Sequence, residues 1–387
     1  MEKRNIAIAL PVTGEEEWQA IRESIETGWI TQGPKVRQFE EQFASRHKVE
    51  RALAVTSCTT GLHLALAALD IGPGDEVIVP AFTWVATANV VVHCGAEPVF
   101  VDVDPATNNI DPTKIAEKVS DKTKAIIAVH LFGLCADIDA IKAIIPDHVK
   151  IIEDAACAAG AEYKGIPAGG LGDAASFSFH PRKSVTTGEG GMVTTNNVEY
   201  AEKMDQMRNH GAAISEEQRH KGPKPYILPD FNMIGFNYRM TDLQGSVGLI
   251  QLPKLDSFIE ERARWAQYYR DKLSHIEWLR LPAEPAEGRH GWQSFVTFVD
   301  ETKSPMPRNE IMEELQQAGI STRPGTHALH MLTVYKERNG YHEDDYPGAR
   351  DCNNCTMAIP LHNRMVKEDY EYVVAKLIEL NQRVKLA

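Results

Sequence analysis

The chain has 387 residues, 43% of them hydrophobic and 25% charged, a balance that fits a soluble globular protein of two or three folding units with a core large enough to need no disulfide or metal. Its 41 Lys and Arg stand against 54 Asp and Glu, and the net charge of −13 argues against nucleic acid or anionic lipid as the main partner, a local basic patch aside. No apolar run approaches the ~20 residues of a membrane span, the N-terminal stretch lacks a signal-peptide core, and the six cysteines are sparse enough to suggest free thiols in a reducing cytoplasm.

In chain order, Glu15 to Thr27 reads as an acidic amphipathic helix, and a second helix runs from about Lys35 to His47. Seven β-branched runs follow, near-continuously apolar as in strands covered on both faces: Leu53 to Thr56, Glu76 to Val79, Pro98 to Val103, Ala125 to His130, Val149 to Glu153, Ala174 to Phe179 and Met192 to Thr195. Helices are expected over Thr60 to Leu69, Asp137 to Ile145, Val198 to His210 and Thr241 to Leu252. The alternation implies an α/β domain with a mostly parallel sheet. A long helix from Leu255 to Leu273 then leads to a smaller α+β unit, with a strand over Ser294 to Val299, a helix from Arg308 to Ala318 and a last helix from Lys367 to Val384. The expected domains are 1–254 and 255–387.

Ligands of open α/β sheets collect beyond the carboxyl ends of the strands, so the residues just past each strand carry the argument. After the first strand, Thr56-Ser-Cys-Thr-Thr-Gly opens a helix whose free N–H groups suit a phosphate or, equally, an ordinary N-cap. After the second, Trp84 is a core aromatic or a stacking platform for a planar ring. After the fifth, Asp154 calls for a cationic partner such as a protonated pyridine nitrogen, or caps a helix. After the sixth, Lys183 precedes a Gly-rich turn and reads as a solvated surface group or a catalytic amine; the latter must be neutral to attack, and desolvation and cationic neighbours can depress its pKa, Arg182 and His180 being close in sequence with their directions left open.

An Asp about thirty residues before a Lys, a Ser five before that Lys and Gly-Glu-Gly-Gly after it resemble the DegT/StrS family of pyridoxal-phosphate (PLP) dependent aminotransferases acting on nucleotide-linked keto-sugars. The likeness extends through Gly28-Trp-Ile-Thr-Gln-Gly-Pro, Pro80 to Asn89, Asn209-His-Gly, Gly235-Phe-Asn-Tyr-Arg-Met-Thr-Asp-Leu-Gln and Ile359-Pro-Leu-His, nearly the whole chain. It implies fold-type I: a large seven-stranded, mostly parallel domain, a small C-terminal domain, and a homodimer with shared active sites. It implies that Lys183 carries the PLP Schiff base, that Asp154 pairs with the pyridine nitrogen, that Trp84 stacks on the ring, and that Thr59, Thr60 and Ser178 hold the phosphate, with Asn237 reaching it from the neighbouring subunit. Thr31 and His180 are substrate-side candidates. L-glutamate is the implied donor, and pyridoxamine phosphate the alternate cofactor form.

The chain also departs from that pattern. Cys157, beside the expected ring oxygen, stands where relatives often carry Gln or His, and reads as a tolerated small residue rather than a nucleophile; Cys58 stands where Gly is common. Smaller, more polar Gly325, Thr326 and His327 replace aromatic residues in a stretch expected to border the sugar, which makes Arg323, His327 and His330 specificity candidates; Arg323 could pair with a diphosphate or a carboxylate. The lone Cys352-Asn-Asn-Cys355 lacks the further ligands of a zinc site, so no metal is expected. Arg239 is placed either on phosphate or in an ion pair with Asp242. The alternatives are a PLP-dependent sugar dehydratase, in which the lysine is typically replaced by His, and a non-catalytic sensor on the same scaffold.

Overall fold

The computed structural model describes residues 3–213, 228 and 230–384, so the first two residues of the N-terminal stretch read above lie outside it. All seven expected runs are strands of a single sheet: β1 Arg51–Val55, β2 Glu76–Pro80, β3 Glu97–Val101, β4 Thr123–Val129, β5 Lys150–Asp154, β6 Ala174–Ser178 and β7 Gly191–Thr195, in the spatial order β1-β7-β6-β5-β4-β2-β3. Pairing is parallel from β3 through β6. β7 is antiparallel to both its neighbours. Among the helices are α1 Glu15–Thr27, α2 Pro34–His47, α3 Cys58–Ala68, α4 Ala86–His93, α5 Asp242–Gln251, α6 Leu255–Leu273, α7 Pro347–Cys355 and α8 Lys367–Val384.

The continuous apolar character of the strands has a direct cause. Along β4, Ala125, Ile127 and Val129 enter the core beneath α3 and α4, while Ile126 and Ala128 enter a second core on the opposite face. A second, three-stranded sheet joins β8 Leu279–Arg280, β9 Phe295–Val299 and β10 Thr356–Ile359. Its core includes Trp278, Phe295, Tyr370 and also Ile6, whose backbone pairs with Ile320. Helix α6 belongs to two cores: Leu255 and Ile259 pack with the large sheet, and Ala266, Tyr269 and Leu273 with the small one.

Two expectations need correction. Helix α3 starts at Cys58, not Thr60, because Ser57 is the extended N-cap and shares a capping box with Thr60. Helix α1 has its amphipathicity inverted: it buries Glu17 and Ser24 and leaves Trp18 and Ile25 more than half exposed. Glu17 accepts hydrogen bonds from Gln251 Nε2 (2.7 Å) and Lys254 Nζ (2.8 Å), and the Ser24 hydroxyl meets that of Ser246 (2.6 Å). Polar contacts therefore hold α1 to α5.

Candidate active site

The registers converge on one edge of the large sheet. Asp154 at the end of β5 lies beside Val129 of β4 and Ser176 of β6. Because β7 runs the other way, it starts at that edge, and Gly191 pairs with both Ser178 and Val55. Over these strand ends lies a cavity of about 450 Å³. The large unit lines it with Ser57, Cys58, Thr59, Trp84, Asp154, Cys157, Ser178, His180, Arg182 and Lys183, among others; the small unit adds Gln293, Ser294, the Arg323–Thr326 stretch and Ala358.

The pleat explains why Asp154 and not Glu153 faces the cavity. Consecutive side chains of a strand point to opposite faces. Glu153 points away, fully buried, where its carboxylate accepts from His130 Nε2 (2.9 Å) and from the backbone N–H groups of Gly169 (2.7 Å), Leu171 (2.8 Å) and Gly172 (2.7 Å). His130 Nδ1 accepts from Ala136 N–H (3.1 Å), which leaves Nε2 as the protonated nitrogen. Burial pushes the Glu153 pKa up, but His130 and the amides outweigh it and the net shift is downward. Asp154 is 5% exposed; its Oδ2 accepts from the Thr87 hydroxyl (2.8 Å) and its Oδ1 from Ala156 N–H (3.2 Å). The Cys58 thiol donates to the Ser176 carbonyl (3.3 Å) with Asp154 Oδ1 at 3.8 Å, and burial, then the Asp154 charge, push its pKa far up, so it is an inert neutral wall.

Lys183 follows β6 by five residues and is only partly buried; its Nζ donates to Cys157 Sγ (3.1 Å). The expected depression of its pKa does not occur. Burial pulls the value down, but Cys157, Cys58 and Asp154 together more than reverse that, and the amine stands above the ordinary lysine range. Burial, then Arg182, lower the pKa of His180. Its Nδ1 accepts from the Arg182 N–H (3.1 Å).

A phosphate cradle is built from the same strand ends. The first amides of α3, those of Cys58 and Thr59, have no acceptor within the helix, and the positive helix end lies on the cavity wall beside Ser178. A Cβ on Gly191 would sit 2.5 Å from the Ser57 carbonyl carbon and 2.6 Å from Cys58 N, so the cradle needs glycine beneath it. A deep carboxylate, a lysine and an anion-binding helix end on one cavity fit a phosphorylated pyridine aldehyde.

Of the other residues singled out, Trp84 lines the cavity with 58% exposure and is no core aromatic; its ring lies 5.6 Å from that of His327. Arg323 lines the wall. Thr60, Thr31, Asn237, His327 and His330 are not on the lining. Thr60 spends its hydroxyl on the cap, contacting Ser57 N (3.0 Å), Ser57 O (2.8 Å) and Thr56 (3.0 Å). Thr31 and Asn237 are exposed. His330 is fully buried, with its Nε2 on the Glu343 carbonyl (3.0 Å) and its ring 4.9 Å from Tyr346. Arg239 Nη1 donates to Asn209 (2.8 Å), while Asp242 accepts the amides of Gly33 (2.8 Å), Lys35 (3.1 Å) and Val36 (2.9 Å) at the start of α2. Cys352 and Cys355 lie on α7, all six cysteines are free, and among the described residues no group of three or more His, Cys, Asp or Glu side chains is arranged to hold a metal. No helix there is long and apolar enough to cross a membrane.

Sequence reasoning placed Ser57, the N-cap on the cavity wall, in the helix opening without singling it out as a site residue, and it missed Thr87, the hydroxyl on Asp154. Ser57 was legible as the first favourable cap before an apolar helix. Thr87 was not, because its helix reads as a β-branched run.

The chain resembles known proteins over almost its full length. It is 39% identical over 378 residues to the spore coat polysaccharide biosynthesis protein SpsC of Bacillus subtilis (97% of each chain). It is 38% identical over 375 residues to the GDP-perosamine synthase of Caulobacter vibrioides (96% of this chain, 97% of that one). Among solved structures, Spr1654 of Streptococcus pneumoniae superposes in its PMP form with a TM-score of 0.91 at 29% identity (99% of both chains), and in its PLP form with 0.90 at 30% (98% and 100%). Residues 11–378 match one family model, and the chain belongs to the DegT/DnrJ/EryC1/StrS aminotransferase family.

Proposed function

We propose that this transaminase moves an amino group from L-glutamate to a nucleotide-linked keto-sugar, a 4-keto-6-deoxy hexose, in amino-sugar synthesis for a polysaccharide or O-antigen, and that it works as a cytoplasmic homodimer. The observation that carries the reading is the meeting of Lys183, Asp154 and the α3 N-terminus on one cavity. The cofactor, pyridoxal 5′-phosphate alternating with pyridoxamine 5′-phosphate, supplies the electron sink that makes a donor's α-hydrogen acidic. Asp154, buried and oriented by Thr87, keeps a proton on a pyridine nitrogen. Lys183 Nζ takes the proton from the donor's α-carbon and, in the second half, returns one to the acceptor's carbon, so a single base serves both directions. Trp84 covers one face of a planar ring, and Ser57, Thr59, Ser178 and the α3 amides take a phosphate; Thr60 contributes by holding the cap closed. Cys157 lies beside Lys183, where it shapes the floor. Asn237 and Thr31, both exposed, are assigned to the shared wall that a second subunit completes. Trp18 and Ile25, seven residues apart on α1 and both outward-facing, are apolar side chains that such a subunit would cover.

The test is a panel of GDP-, dTDP- and UDP-linked 4-keto sugars incubated with glutamate and read by mass spectrometry. One acceptor should gain an amino group while 2-oxoglutarate accumulates. Failure with every ketone and every amino acid, or a 3-deoxy product, would overturn the assignment. Lys183→Ala should abolish both half-reactions and the visible absorbance of the loaded enzyme.

A further inference from the structure

Arg182 and Arg323 both line the cavity, both are exposed, and neither guanidinium has a carboxylate partner among the described residues. That leaves both forks open to an anion, where Arg46, Arg208, Arg289 and Arg350 each already pair with an acid. It is also a local reversal of sign: the molecule carries −13, yet the cavity wall holds Arg182, Lys183 and Arg323 against only Asp154 and Glu189.

The two arginines are mounted firmly, on different units. The Arg182 N–H is fixed on His180 Nδ1 (3.1 Å), and its carbonyl accepts from Gln293 Nε2 (3.0 Å) of the small unit. The Arg323 N–H donates to the Ala358 carbonyl (3.3 Å) and its carbonyl accepts from Ala358 N–H (2.7 Å), which ties it to strand β10. Two fixed backbones thus hold two forked cations at the seam between the sheets, at the solvent end of a cavity whose floor is the buried Asp154.

We infer that Arg182 and Arg323 form a two-point clamp for the diphosphate of the acceptor, and so select a nucleoside diphosphate sugar over a sugar monophosphate or a free sugar. The inference rests on the function proposed above and adds its recognition element. A guanidinium matches a phosphate through two parallel N–H donors, and two of them match two adjacent phosphates. The exposed position favours the acceptor over the donor: the donor must bring its α-carbon to Lys183 at the floor, whereas a nucleotide must extend outward.

The test is equilibrium binding to the holoenzyme by calorimetry, with UDP, GDP and dTDP, the matching monophosphates, and glutarate as a stand-in for the donor's two carboxylates. The best-bound diphosphate should weaken about tenfold in Arg182→Gln and in Arg323→Gln, and by about a hundredfold in the double variant. The preference for diphosphate over monophosphate should shrink with it, and Arg182→Lys should restore part of the affinity but not that preference. Because both side chains are exposed, the unfolding temperature without ligand should not move. Diphosphate affinity unchanged in the double variant would overturn the clamp, whether or not glutarate binding falls. Amination by the wild-type enzyme in the sugar panel judges the function separately: it can succeed while the clamp fails, and fail while the clamp binds.

Discussion

At Glu153 and Asp154 the pleat of β5 gives two adjacent carboxylates opposite environments, and each predicts a different failure. Removing the Thr87 hydroxyl takes away one hydrogen bond to a charged group, worth about 1.5–3 kcal/mol. Thr87→Val should therefore loosen cofactor binding by at least about tenfold, read from absorbance titration, with little change in thermal stability. Lys183 has a pKa raised above its ordinary value in the cofactor-free protein, so it is protonated at neutral pH. An amine must be neutral to attack an aldehyde. The rate at which the cofactor-free protein takes up pyridoxal phosphate should then climb throughout the alkaline range, and a pH-independent rate would show that the amine is not the attacking group. Both carboxylates stand together in the sequence, but which one turns inward depends on the register of β5 against β4 and β6. Asp154 was legible as the residue past the run; the three amides and the imidazole that satisfy Glu153 come from residues up to 23 positions away and were not.

At the scale of elements, the buried Glu153–His130 pair ties β5 to the loop after β4 and to the Gly169–Gly172 turn. Removing the Glu153 carboxylate leaves the His130 N–H and three buried amides without an acceptor, and each donor so stranded costs about 1–3 kcal/mol. Glu153→Ala should lower stability by that order in chemical denaturation. Because the folded pKa of Glu153 is depressed below 4.5, its contribution is fully present above that value and is lost as the pH falls through the folded value. The seven strands were legible because each is apolar on both faces, and a continuous run needs no knowledge of its partner. Three features needed the tertiary structure. Helix α4 carries three consecutive valines, a strand-like run that is helical because Ala88, Val90 and Val91 pack in the core beneath the sheet. The antiparallel sense of β7 is set by pairing, which no local pattern encodes. The inverted burial of α1 follows from polar partners on α5, more than two hundred residues away.

For the whole molecule, acid should be destabilising well before the carboxylates titrate. His47 and His290 are buried, with pKa values lowered from 6.5 to about 4 and about 3, in both cases chiefly by burial. A depressed histidine binds its proton in the unfolded chain first, so stability falls as the pH drops below 6.5 toward those values. His47→Phe, which keeps the stack on Phe43 at a ring separation of 4.0 Å, should flatten that slope in denaturant midpoints measured from pH 7 to 4. The outward Trp18 and Ile25 make a second test at this scale: Trp18→Asp combined with Ile25→Asp should shift the molecule toward a monomer in sedimentation velocity and lower activity with it.

Helix α6 enters the large core at Leu255 and Ile259 and leaves through the small one at Ala266, Tyr269 and Leu273. One rod is thus spliced into both bodies, and neither can melt without withdrawing an anchor from the other. Heating should give a single calorimetric peak, with no separate transition for either sheet. Any breathing that widens the catalytic cleft must then be borne as a bend of this shared axle rather than as free rotation about a slack linker.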